Sequence, residues 1–422
     1  MPSEGWSRRR IDILVLTIIL ALGIFLRLPP HTFSSGGLLS SMAALHPAPG
    51  FVKIGFDEGL YRAYVNSLVI GGITSYPDVV EGYITVQKRL PGSILPPVRF
   101  LYIFAGYIWH SVFGSESLEA LKNVAALFSI FTLVLATFFS WRMRGSTWGI
   151  CVAALMAFAP TQIHMSQHAL VDGFFGFWAL LCLWLHWENM RSPRDWRWLV
   201  AYILALALLV LTKENSFFVW VALGVLMVTN RWLQFGSVTR ELVLATIVGP
   251  ILGVVILIFL AGGIDTLFQV YQLSVGKNLQ LTYAVLTGDG PWHRYLVDLL
   301  LVSPVILILA IGKLFRLDRT QKPELYISIF IAASYVVMCN VKYGMNLRYA
   351  NMWDMPLRFL ALSSLIALLA PLRRFHQTLL AIVVAAVCAI EMRQYIILFV
   401  QFPLYELVSE GLLRALRILK SP

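Results

Sequence analysis

Long apolar runs broken by short polar stretches dominate the chain. Such runs fall at roughly 11–28, 118–140, 147–163, 170–187, 197–212, 216–229, 242–261, 294–312, 325–341, 355–371 and 377–399. A helix needs about 20 apolar residues to cross the hydrocarbon of a bilayer. Several runs are shorter, and those near Ser166 and Lys213 predict turns within the membrane interface. The one long stretch without a clear span is 29–117. Within it Leu60, Tyr61, Tyr64, Val65 and Leu68 recur at helical spacing and predict an amphipathic helix from Glu58 to Val69. Residues 95–113 carry Arg99, Tyr102, Tyr107, Trp109 and His110, side chains that favour the headgroup layer, and predict a helix lying along the membrane surface. The fold class expected is therefore all-α: a polytopic membrane protein of about eleven transmembrane helices. It forms one domain, 1–422, with juxtamembrane helices in the 29–117 loop and a short basic amphipathic tail over 400–422.

Composition agrees with the pattern. Apolar residues make up 59% of the chain and charged residues 13%, against about 25% charged in soluble domains. The net charge of +11 has the magnitude of a nucleic-acid binder, but its distribution excludes that partner. Basic residues sit in clusters between the runs: Arg8–Arg10, Arg142/Arg144, Arg191/Arg194/Arg197, Arg231/Arg240, Lys313/Arg316/Arg319/Lys322 and Arg373–Arg374. With 95–113 on the surface, every cluster falls on the side of the N-terminus, as the positive-inside rule requires of a cytoplasmic face. Arg8–Arg10 and the run to Leu26 read as an uncleaved first span in the cell (inner) membrane, because Arg27-Leu28-Pro29-Pro30 follows without a small-x-small site. The four cysteines lie inside apolar runs, without CxxC spacing, as small buried hydrophobes do. The same parity places 29–117, 164–172, Lys213-Glu214, 262–293 and 342–354 together on the extracytoplasmic face.

Those segments hold the unusual polar residues. Asp57 and Glu58 lie just beyond the first span, and ionised acids near a bilayer point to function by default. A carboxylate there could abstract a proton from a substrate; the alternative is that both acids cap the helix that follows, where they suit its dipole. Lys88 and Arg89 precede the turn at Pro91-Gly92 and could clamp a phosphate, or meet lipid headgroups. If the chain is helical from Pro160, then His164, His168 and Asp172 share one face. That face could ligate a metal, or its histidines could bond loop neighbours. Asp172 opens an apolar run and needs a partner or water. Lys213-Glu214 forms either part of a site or an internal ion pair in a turn, and Arg294 and Arg348 are cations on the same face. No P-loop, GxSxG, HExxH or dinucleotide fingerprint occurs, which argues against nucleotide-driven chemistry. No metal is assigned and no cofactor is certain; a divalent cation is left open.

In order come the arginine-led span, Phe56-Asp57-Glu58-Gly59-Leu60-Tyr61, Leu95-Pro96-Pro97, and Ala157-Phe158-Ala159-Pro160 leading to Asp172. Leu211-Thr212-Lys213, Gly290-Pro291-Trp292 and Arg348-Tyr349 complete the series. The set resembles the membrane-embedded GT-C glycosyltransferases, in particular the dolichyl-phosphate-mannose protein mannosyltransferase and aminoarabinose transferase-like group. That resemblance implies an inverting transfer of a hexose or pentose from a polyprenyl-phosphate donor to an extracytoplasmic glycan, lipid or protein acceptor. It also implies catalytic roles for Asp57 as general base, Glu58 and Asp172, with Arg62, Lys88, Arg89, His168, Lys213 and Arg348 binding substrate and its phosphate. Many relatives carry an arginine where this chain has Gln167 and His168. The competing reading is a lipid or solute transporter or flippase of the cell envelope, although no repeat relates the two halves of the chain; a third is an accessory subunit of an envelope-assembly complex. Convergence of Asp57, Asp172 and the basic residues in one place would favour an enzyme.

Overall fold

A computed structural model describes residues 3–29, 32, 44–46, 55–278, 290–340, 345–372 and 376–419, with the backbone alone for 3–9 and 278. Much of the 29–54 stretch, Lys342, Arg373 and Arg374 therefore lie outside the described residues. No strand occurs among those described. Helix α1 (Ser3–Arg27) is followed by α2 (Phe56–Gly71), α3 (Tyr76–Arg89) and α4 (Phe100–Phe113). The middle of the chain forms α5 (Ser117–Arg144), α6 (Ser146–Ala157), α7 (Pro160–Ser166), α8 (Val171–Arg191), α9 (Trp196–Val210), α10 (Ser216–Leu233), α11 (Arg240–Leu260) and α12 (Ile264–Asn278). Then come α13 (Arg294–Val302), α14 (Pro304–Leu314) and α15 (Lys322–Asn340). A 3-10 segment (Leu347–Trp353) runs into α16 (Asp354–Leu369), and α17 (His376–Tyr395) closes in a π-turn before α18 (Ser409–Ala415).

By length and hydropathy six helices qualify as spans among the described residues, seven if α6 and α7, bent by 61°, are one. The sequence count of about eleven also drew on α9, a shorter apolar helix, and on 294–312, which is two helices. Pro304 has no N–H to continue α13 and starts α14 instead. Helix α8 holds His186, Glu188 and Asn189, all buried against neighbours, so its sides need not be as apolar as those of a lipid-facing helix.

The two ends of the bundle differ. At one, Arg142 at the end of α5 binds Glu188 of α8 through 2.7 and 3.0 Å bonds, and Arg144 pairs with Glu324 of α15. At the other, α2, α3 and α4 fold over the helix ends, and the Leu101 N–H of α4 donates to Leu211 O at 2.9 Å. The helix expected over 95–113 is α4, packed on α2 and α5. Helix α11 approaches α9 backbone to backbone, since a Cβ on Gly253 would fall 2.7 Å from Ala207 O.

The break between α6 and α7 shapes that end. Pro160 has no N–H for Met156 O, which keeps a long 3.3 Å bond from the Ala159 N–H, and a poorly satisfied carbonyl inside a membrane is costly. Arg27 substitutes for it: Nη2 donates to Met156 O at 2.7 Å, Nη1 to Ala157 O at 3.1 Å and Nε to Ser129 Oγ at 3.0 Å. Arg358 of α16 does the same for Leu155 O at 3.0 Å. Its two other nitrogens bind Asp354 Oδ1 at 3.0 Å and Glu391 Oε2 at 2.6 Å. Gln162 of α7 donates to Asp354 Oδ2 at 2.8 Å. Two arginines and two acids, all buried, thereby hold the bend that presents the α7–α8 loop to α2.

Candidate active site

Asp57 and Glu58 are neighbours, but a helix turns about 100° per residue, so they face different ways. Glu58 is fully buried. Its Oε2 accepts the Gly55 N–H at 2.8 Å, the returning half of a capping box. Its Oε1 accepts the Ala169 N–H at 2.7 Å and so ties the start of α2 to the α7–α8 loop. Burial alone would raise its pKa, but the 3.4 Å contact with His168 and the bonds from Gly55 and Ala169 outweigh it and hold it down at about 2. The capping alternative therefore describes Glu58. Asp57 turns outward from that cap, and its Oδ2 accepts from Arg348 Nη2 at 2.6 Å.

Arg348 is the centre of the cluster. Its Nε lies 3.5 Å from Asp172 Oδ2 and its Nη1 3.5 Å from Glu406 Oε1, neither as a formed hydrogen bond. Asp172, in the first turn of α8, takes Lys213 Nζ on Oδ1 at 2.6 Å. Lys213 also sits 4.0 Å above the ring of Tyr349, a cation–π contact in a buried setting. Burial draws the Lys213 ammonium below its ordinary pKa, against the pull of Asp172. Asn351 Nδ2 donates to the Asp172 carbonyl at 2.6 Å and holds the head of α8 against the 3-10 segment.

Beside it Arg99, at the head of α4, donates through Nη1 to Tyr61 Oη at 2.6 Å and through Nε to Glu214 Oε2 at 3.2 Å. The Lys213-Glu214 turn therefore holds no internal pair: Lys213 faces Asp172 while Glu214 faces Arg99.

Of the residues expected from sequence, Asp57, Asp172, Lys213 and Arg348 converge, with Glu58 and His168 adjoining. Three do not. Arg62 forms an exposed pair with Glu116 at 2.6 Å, 42% and 44% exposed, and such pairs contribute little. Lys88 and Arg89 are exposed at the end of α3, where Lys277 Nζ binds the backbone carbonyls of Gln87, Lys88 and Leu90. The shared face of His164, His168 and Asp172 is corrected too: α7 ends at Ser166 and α8 begins at Val171. His164 stacks on Phe399 at 4.3 Å, while Asp172 turns to Lys213. Among the described residues no three His, Cys, Asp or Glu are grouped to hold a metal ion.

Sequence reasoning missed Tyr405 and Glu406. The tail read only as basic and amphipathic supplies the third acid on Arg348. It also lays Tyr405 over the α2 cap, so closely that a Cβ on Gly55 would fall 2.2 Å from its Cζ. The usable signal was an acid soon after Pro403, where the last apolar run ends.

The fold is shared with solved GT-C glycosyltransferases, the fold that the sequence resemblance implied. More narrowly, residues 107–275 match the family model of dolichyl-phosphate-mannose-protein mannosyltransferase. The chain superposes on the apo oligosaccharyltransferase of Archaeoglobus fulgidus with a TM-score of 0.62 at 14% identity, over 93% of this chain and 56% of that one. It thus spans little more than half the length of that protein. A complex of the same archaeal enzyme, AglB, with an inhibitory peptide and a dolichol-phosphate gives 0.59 at 14% identity, over 92% and 56%. ArnT from Cupriavidus metallidurans, in the apo state, gives 0.53 at 15% identity, over 98% and 76%. No curated protein matches by sequence.

Proposed function

We propose that the chain is a membrane glycosyltransferase that moves a sugar, with inversion, from a polyprenyl-phosphate-linked donor to an acceptor outside the cytoplasm. The observation that carries this reading is the convergence of Asp57, Asp172, Lys213 and Arg348 at the end of the bundle covered by α2 to α4. It is supported by the mannosyltransferase family match and by a fold shared with an oligosaccharyltransferase whose complex holds a dolichol-phosphate.

Asp57 is the base. Its Oδ2 is held by Arg348, while Oδ1 has no partner among the described residues and its side chain is 17% exposed. It takes the acceptor proton as the acceptor oxygen bonds to the anomeric carbon and the carbon–phosphate oxygen bond breaks. Negative charge then gathers on the departing phosphate, where fixed cations act most strongly. Arg348, whose buried Nε and Nη1 face carboxylates without bonding them, and Lys213 beside it supply the positive charge. Asp172 holds both cations in register. Glu58 positions the α7–α8 loop and the start of α2, and His168 lines the same pocket of residues. Arg62, Lys88 and Arg89, remote from the cluster, serve the membrane surface or the acceptor path.

The test is transfer of radiolabelled sugar from a polyprenyl-phosphate donor by the purified protein and its Asp57→Asn variant. Transfer by the wild type that collapses in a folded variant supports the reading; equal transfer by both removes Asp57 from the chemistry. Absence of transfer with every donor, together with vesicle-to-vesicle movement of a lipid or solute, supports a transporter instead.

A further inference from the structure

His168 is held in a way that contact with substrate alone does not require. Its Nδ1 lies 3.4 Å from Glu58 Oε1, the oxygen that also receives the Ala169 N–H. The ring stands edge-on to His164 at 4.6 Å and to Tyr405 at 5.2 Å. Nδ1 is fully enclosed and makes no formed hydrogen bond; Nε2 is not enclosed and has no partner among the described residues. The imidazole thus faces a carboxylate with one nitrogen and leaves the other uncovered, an arrangement in which an imidazole can donate or accept a proton.

The ring adjoins the charge cluster through Tyr405. Tyr405, packed on His168, lies in the field of Arg348, Asp57, Glu58 and Glu406, and burial pushes its pKa up, so it stays a neutral phenol. The charged or titratable groups facing His168 are thus Glu58 of α2, His164 of α7 and Tyr405 of the tail, with Arg348, Asp57 and Glu406 beyond the phenol.

We infer that His168 is the proton donor to the departing phosphate, and that Glu58 is its positioning residue; this rests on the glycosyl transfer proposed above. As the acceptor oxygen bonds to the anomeric carbon, the bond from that carbon to the phosphate oxygen breaks and its electron pair stays on the oxygen. The acceptor proton passes to Asp57, and the Nε2 proton of His168 passes to the phosphate. Asp57 then releases a proton to water and His168 takes one from it, so the step closes without any further reactant. Imidazole is the side chain that gains and loses a proton most readily near neutrality, so it can give one up in the step and recover it from water, as an arginine cannot.

The test is binding of undecaprenyl phosphate to the purified full-length chain in nanodiscs at about pH 6 and about pH 8, for wild type, His168→Gln, His168→Arg and Glu58→Gln. Wild type gains affinity at the lower pH relative to His168→Gln by about tenfold, the size of a hydrogen bond to a charged group. His168→Arg binds as tightly as protonated wild type at both values, and Glu58→Gln moves the wild-type transition to lower pH. The free lipid phosphate titrates too, but identically in all four experiments, so the differences between proteins are the readout. Identical pH dependence in wild type and His168→Gln overturns the inference and leaves the transferase reading intact. Weak binding by His168→Arg at both values also overturns it. Failure of wild type to bind the lipid at either pH defeats the transferase reading, and the inference with it.

Discussion

Two buried groups of arginines and acids, here the lower (Arg27 and Arg358) and the upper (Arg348), are built differently in this bundle. In the lower one every guanidinium nitrogen of Arg27 and Arg358 makes a hydrogen bond, three of these nitrogens to the carbonyls of Leu155, Met156 and Ala157. In the upper one Arg348 faces three carboxylates but bonds only Asp57 firmly, and Nε and Nη1 stay open. The lower group is closed on itself and on the backbone. The upper group has buried donors that make no hydrogen bond among the described residues. Composition alone would class the two together; satisfaction of the donors separates a structural network from a candidate site.

That contrast breaks most visibly at Asp57. Asp57→Asn should lower sugar transfer by about 10²–10⁴-fold, the range for loss of a positioned base, with little change in thermal unfolding. Arg358→Met should do the reverse. Leaving Asp354 and Glu391 buried without their cation should cost about 3–5 kcal/mol of stability, read as a fall in the unfolding midpoint in detergent. Adding Glu391→Leu should restore part of that loss, because an apolar pair tolerates burial better than a lone charge. Full stability of the single variant would show that the lower group is not structural.

Smaller effects sharpen the boundary between cap and site. Gly55→Ala drives a methyl into the Tyr405 ring and should cost about 1–3 kcal/mol as overpacking, relieved by Tyr405→Ala; chemical unfolding of the single and double variants checks this. The smallest effect near neutral pH concerns Glu58. Its folded pKa of about 2 lies below the ordinary 4.5, so its contribution is complete above about 4.5 and fades as pH falls toward 2. Unfolding midpoints measured down the acid limb should therefore drop more steeply for wild type than for Glu58→Gln, which has no charge to lose.

Much of the architecture was legible in the runs of apolar residues. Spans expected at 118–140, 242–261 and 325–341 became α5, α11 and α15, within a few residues. The run 147–163 was read as continuous and is bent at Pro160; the run 294–312 is broken at Pro304. Both prolines were visible, but hydropathy does not register a missing N–H. Asp57, Asp172, Lys213 and Arg348 were legible as polar residues in places that penalise them. Glu406 was not, because one acid in a basic tail looks like solvent-facing punctuation until the tail folds back.

The sequence by itself determined the class of protein, the helices, the basic end and the shortlist of residues with chemistry to offer. Those follow from local properties: transfer free energy, helical period and the backbone chemistry of proline. Only the tertiary structure decided which of two adjacent acids caps a helix and which meets Arg348, 291 residues away. It also decided that Lys213 and Glu214 turn to different partners. An ion pair depends on a few ångströms of distance and on burial, and neither is a property of position along the chain.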